Sequence, residues 1–111
     1  MTGDDELRRG LDLMRRGAFF DAHEELELAW RTAPAAERDF FQGLVHVTVA
    51  WYQAGRGRPT ACASQLAKAQ RRLVSYAPAH RGVDVAGVLA QVDAASGVVA
   101  GGSLDLPSLR I

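Results

Sequence analysis

The sequence contains a single cysteine, Cys62, so no disulfide can form within the chain, and a reducing compartment is expected. No charge sign is in excess: 13 basic side chains balance 13 acidic ones, for a formal net charge of zero. Such a chain lacks the positive field that phosphate backbones or anionic lipid favour, which argues against nucleic acid as a partner. Lysine is nearly absent, Lys68 being the only one. With so much alanine and glycine, that arginine bias reads as genome composition and not as function. Long apolar runs are missing too. The longest, Leu44 to Tyr52, is interrupted by His46 and Thr48. It falls far short of the roughly 20 residues of a membrane span, so no membrane partner is expected. The first residues, Thr2-Gly3-Asp4-Asp5-Glu6, are acidic where a secretory leader would be basic and then apolar. The cytoplasm is therefore the expected location. Also missing are a glycine-rich phosphate loop, a serine elbow and a paired-cysteine metal knuckle.

What remains is a chain of 111 residues, 48% apolar, enough for one core without disulfides or metal. Period and punctuation place five helices. The first spans about residues 4–16, with Asp4, Asp5 and Glu6 in its first turn, Arg15 and Arg16 in its last, and Gly17 as its stop. Its apolar stripe is Leu7, Leu11 and Met14. The second spans about 19–31, and Pro34 suits the first turn of a third that runs to about residue 53. On this third helix Phe40, Leu44, Val47 and Trp51 share one face. Gly43, Ala50 and Ala54 form an adjoining strip open to close approach. A loop, Gly55-Arg56-Gly57-Arg58-Pro59, precedes a fourth helix carrying Cys62, Leu66, Ala69 and Leu73. Cys62 reads there as a small core residue. A fifth helix spans about 84–95 with Val85, Val88, Leu89 and Val92 inward. Short connections make successive helices antiparallel. The expected fold is all-α: an antiparallel helical bundle of two α-hairpins plus a fifth helix, one domain over 1–111. From about residue 97 an extended C-terminal tail carries Leu104, Leu106, Leu109 and Ile111. It is either an arm laid across the bundle, an arm across a partner subunit in a homodimer, or a frayed end.

On the second helix, Phe19, His23, Leu26, Glu27 and Trp30 fall within about a third of the circumference. If Phe19, Leu26 and Trp30 point inward, His23 and Glu27 point inward with them, and buried polar groups need partners. Gln42 and His46, four apart on the third helix, flank the small-residue strip. If helix two packs on that strip, His23, Glu27, Gln42 and His46 converge, with Trp30 as a wall. His80, in a loop, reads as solvated.

The run His23-Glu24-Glu25-Leu26-Glu27-Leu28-Ala29-Trp30, then Pro34, then Phe41-Gln42-Gly43-Leu44, resembles the bacterial family catalogued as domain of unknown function 309. The resemblance covers roughly Leu11 to Leu73. It implies an all-helical bundle of bacterial origin, in a family without an established activity. The family usually carries a second glutamine four residues after the first, where this chain has His46, and an asparagine in the loop that here carries Arg58.

Three functional readings are open. In the first, His23, Glu27 and Gln42 form a buried polar clasp, with the Trp30 indole as a further partner, that fixes helix register and lines a small pocket. In the second, His23, Glu27 and His46 hold a divalent metal in a hydrolase or oxygen-dependent enzyme, with Glu24 as a nearby base. His-Glu-Glu-Leu-Glu is not the zinc-protease motif, which needs histidine where Glu27 stands. In the third, tetratricopeptide-like hairpins bind a peptide, or the tail mediates dimerisation. None of the three names a substrate.

Overall fold

The computed structural model describes residues 3–111, so Thr2 of the acidic start lies outside the described residues. Five α-helices follow in order: α1 Asp4–Arg15, α2 Phe19–Thr32, α3 Ala35–Gly55, α4 Pro59–Leu73 and α5 Val85–Ala100, with a 3₁₀ turn at Val74–Tyr76 after α4. No strand is present among the described residues. The fold is all-α, and each helix packs chiefly on its neighbours in the chain.

Local chemistry explains the boundaries. Asp4, Asp5 and Glu6 face the positive end of the α1 dipole. Gly17, at φ +76°, supplies the left-handed turn that ends α1 and admits α2 two residues later. Pro34 is the extended residue just before α3, while Pro59 occupies the first turn of α4. Asp84 caps α5, its side chain accepting the Gly87 N–H at 3.0 Å. The fifth helix runs five residues beyond the expected end at Ala95. Gly97 does not break it, because a helical glycine costs only about 1 kcal/mol and Val98 and Val99 continue the apolar pattern.

The core follows α3, whose residues Phe40, Phe41, Leu44, Val47, Ala50 and Trp51 are buried. The buried Thr48 hydroxyl donates to the Leu44 carbonyl at 2.8 Å. Gly43 receives α4: a Cβ there would fall 2.5 Å from Leu73 Cγ. The small-residue strip of α3 is therefore taken by α4 and not, as the sequence suggests, by α2. On α2 itself the buried line is Ala22, Leu26 and Ala29. Leu26 rests on Gly10 of α1, where a Cβ would lie 2.8 Å from the leucine side chain.

The tail folds back on its own bundle. Leu109 is buried, and Leu104, Leu106 and Ile111 pack against the core. Its backbone is fastened by side chains from two helices. The Trp51 indole N–H donates to the Pro107 carbonyl at 3.0 Å. The Gln91 amide donates to Arg110 O at 2.6 Å and accepts from Arg110 N at 2.8 Å.

Two glycines on helices should respond oppositely to the same substitution. Gly43→Ala is expected to destabilise by about 1–3 kcal/mol through overpacking against Leu73. Gly97→Ala, with nothing within 4 Å of the added methyl, should stabilise by about 0.5–1 kcal/mol. Urea unfolding of both variants checks the sign; equal shifts would contradict the α3–α4 register.

Candidate functional site

The α2 shoulder one residue round from the Ala22–Leu26–Ala29 line carries His23 and Glu27. They sit on the rim of the bundle, with side chains 23% and 37% exposed. His23 Nδ1 lies 2.8 Å from the Phe20 carbonyl. That oxygen can only accept, so Nδ1 carries the proton. His23 Nε2 lies 3.4 Å from Glu27 Oε1, and the other Glu27 oxygen lies 3.6 Å from Arg31. His23, Glu27 and Arg31 thus line up at helical spacing along α2, and the His23–Glu27 contact is an ion pair only when the imidazole is protonated.

His23 also lines a cleft of about 210 Å³ with Phe19, Phe20, Val49, Tyr52 and Gln53. Two aromatic rings form its wall: the Phe20 ring lies 5.8 Å from Tyr52 and 5.2 Å, edge-on, from His23. Phe20 is half exposed, an unusual place for so large an apolar ring. Arg56 donates to the Tyr52 hydroxyl at 3.2 Å. Within this lining, Gln53 Oε1 is buried with no hydrogen-bond partner. A buried acceptor left unmatched costs about 1–3 kcal/mol.

The other residues singled out in the sequence face elsewhere. His46 turns to α4, where its Nδ1 donates to Gln65 Oε1 at 2.7 Å and its Nε2 is buried without a partner. Gln42 is half-buried, with no hydrogen bond to His23 or Glu27 among the described residues. Trp30 is half-buried and is covered by the Arg38 guanidinium at 4.7 Å. Glu24 is exposed. His23 and Glu27 are thus together, but His46 and Gln42 do not join them, because α4 and not α2 occupies the strip beside Gly43. Among the described residues no three His, Cys, Asp or Glu side chains are grouped to hold a metal ion, and His23, Glu27 and His46 do not form such a set.

A second polar cluster escaped the sequence reading. Glu37, in the first turn of α3, accepts from His80 Nε2 at 2.8 Å and from Arg81 Nε at 2.6 Å. Arg81 also reaches Asp4 at 2.7 Å. Its guanidinium lies over the Phe41 ring, and His80 packs edge-on against Phe40 at 4.7 Å. His80, expected to be free in solvent, is instead held by Glu37 and Phe40, with its side chain 29% exposed. No local spacing could reveal a contact 43 residues apart in the chain. Arg81 adopts a left-handed backbone, φ 48°, which suits glycine or asparagine better and is held here by its ion pairs. Tyr52 and Gln53 were more accessible: with Val49 they fall at i, i+3 and i+4 on α3, the arithmetic that groups His23 with Glu27.

Two groups link the fold to pH. Burial lowers the His46 pKa, outweighing the Gln65 hydrogen bond that raises it, and the charges of Lys68, Arg72 and Arg71 lower it further. For Glu37, burial pushes upward, but hydrogen bonds from Arg81 and His80 and their charges together hold its carboxyl below the ordinary value.

No helix among the described residues is long and apolar enough to cross a membrane. The chain matches the family described as domain of unknown function DUF309 over residues 7–65, more than half its length, and belongs to that family. No curated protein and no solved structure matches it.

Both pH-linked groups predict lost stability in acid, in different windows. A neutral buried His46 stabilises the fold fully above its unfolded pKa, near 6.5, and the contribution falls as pH drops from there through its lowered folded value. The Glu37 contribution is present above the ordinary carboxylate range and falls as pH drops through its lowered folded value. In urea titrations across pH, His46→Gln should flatten the first loss and spare the second, and Glu37→Gln the reverse. Arg81→Ala, which leaves the half-buried Glu37 short of a partner, should cost about 1–3 kcal/mol at pH 7.

Proposed function

We propose that this DUF309 member is a ligand-binding helical module of the bacterial cytoplasm, and that its site is the cleft between α2 and the C-terminal half of α3. The observation that carries this reading is the cleft itself, in which Phe19, Phe20, Val49 and Tyr52 surround His23 and Gln53. A concave, largely apolar lining with a few polar groups is the usual form of a small-molecule site. Phe19, Phe20, Val49 and the Tyr52 ring supply the apolar surface; His23 and Gln53 supply the polar points. A neighbouring open depression of about 450 Å³ shares Phe19, Phe20 and Tyr52 and leads to Arg56, so a ligand has a way in along the helices.

Binding is favoured over metal-assisted hydrolysis or oxidation because His46 is committed to Gln65 on the far side of α3. It is favoured over peptide recognition or tail-mediated dimerisation because the tail's leucines pack on the chain's own core. The balanced charge gives nucleic acid no purchase.

Amide chemical shifts measured during a fragment screen test the proposal. Binding fragments should perturb Phe19, Phe20, His23, Val49, Tyr52 and Gln53 together. His23→Ala or Phe20→Ala should weaken binding about tenfold, or about 1.4 kcal/mol, with thermal stability changed by only a few degrees. Hits scattered over other surfaces, or unaffected by both substitutions, would sink the reading.

A further inference from the structure

Half of the chain's aromatic side chains, four of eight, line a single depression. Phe19, Phe20, Trp51 and Tyr52 surround the open space of about 450 Å³ that adjoins the cleft, and Arg56 is the one charged residue in its lining. Resting on the binding reading above, we infer that the ligand is a small amphipathic carboxylate. Its apolar body, best an aromatic ring, lies on these four side chains, and its acid group meets Arg56 and the Tyr52 hydroxyl.

The donors select the acid. Arg56 Nη1 donates to the Tyr52 hydroxyl oxygen at 3.2 Å, so that hydroxyl keeps its own proton to give. Among the described residues Arg56 forms no ion pair with a carboxylate, and its other N–H groups meet no protein acceptor. Arg81, which also lies over an aromatic ring, is by contrast spent on Glu37 and Asp4. Beside the aromatic lining there are thus two adjacent groups with hydrogen to donate, one of them charged. Two oxygens sharing one negative charge answer both, since a guanidinium presents its N–H groups in a fixed fork. The guanidinium also lies 5.8 Å from the Tyr52 ring centroid, so one residue steadies it through both ring and hydroxyl. No acidic side chain lines the depression, and a cation would find no counter-charge there.

The rings select the body. Trp51 contributes surface only, its N–H being committed to the Pro107 carbonyl. Phe20 is 51% exposed, so an apolar group laid on it removes further ring area from water. The volume falls within the roughly 300–1,000 Å³ of small-molecule sites. Phe19, Phe20 and Tyr52 also line the cleft, so a longer body reaches toward His23 while the acid stays with Arg56.

Benzoate, benzyl alcohol and benzamidine share one ring and differ in charge, and titrating the full-length chain with each tests the assignment. The Trp51 indole N–H and the amides of Phe20, Tyr52 and Arg56 report occupancy. Benzoate should bind on the order of millimolar, as suits so small a probe, and at least about fivefold tighter than either control. Arg56→Gln, at an exposed position that the fold does not need, should weaken benzoate by about three- to fivefold and leave benzyl alcohol unchanged. Arg56→Lys should lose less, and Tyr52→Phe, which keeps the ring, about two- to fourfold. Benzoate that binds no better than the controls, or not at all while other fragments do, would overturn the anionic class and leave the cleft a binding site. Benzoate affinity indifferent to Arg56→Gln would remove Arg56 from the site and the inference with it. If no probe and no screened fragment perturbs these residues, both readings fall.

Discussion

Leu73 lies against bare backbone at Gly43, and this contact decides how α3 is turned in the bundle. At 100° per residue, His46 lies about 60° from Gly43, whereas Val49 and Tyr52 lie about 120° and 180° away. Once α4 is seated at Gly43, His46 must face it, and Val49 and Tyr52 are left for α2. The cleft and the separation of the two histidines are both consequences of that single choice. A helix packed on both sides has to assign its small residues to one neighbour, and here the longer interface, with α4, takes them.

The helices were legible because each is bounded by chemistry that acts within a few residues: acidic first turns, Gly17, Pro34, Pro59 and the Asp84 cap. The exact turn of α2 was not. Its buried line is Ala22, Leu26 and Ala29, and alanine carries too little hydrophobicity to outweigh Phe19 and Trp30 in a periodic reading. Alanine is nonetheless what permits α2 to lie close between α1 and α3. The rotation of one position moves His23 and Glu27 from the core to its rim. That Phe20, exposed and off the apparent stripe, would form the cleft's outer wall has no signal in apolar periodicity at all.

Contacts distant in sequence complete the structure, and these were invisible for a different reason. Glu37 joins the beginning of α1, through Asp4 and Arg81, to the turn between α4 and α5. Gln91 and Trp51 read the tail's backbone and not its side chains, so almost any extended segment would satisfy them. Its leucines then decide the register by burial, Leu109 most of all. The tail that reads from sequence as a loose arm is a strap because the bundle offers it one tryptophan N–H and one amide in the right places.

The rim position also weighs on what the His23–Glu27 pair is for. A pair at i and i+4 with side chains 23% and 37% exposed contributes at most about 0.3–0.5 kcal/mol to a helix, and only with the imidazole protonated. The packing of one glycine against Leu73 carries several times that. Helix register in this bundle is therefore set by glycine and alanine contacts, and a weak pair on the rim adds little to it. The imidazole's tautomer is set by the Phe20 carbonyl, and the ring so held lines the cleft with Phe19, Phe20, Val49, Tyr52 and Gln53. A histidine whose ion pair contributes little to folding, yet which lines a cleft, is better understood through what enters that cleft than through what the fold requires.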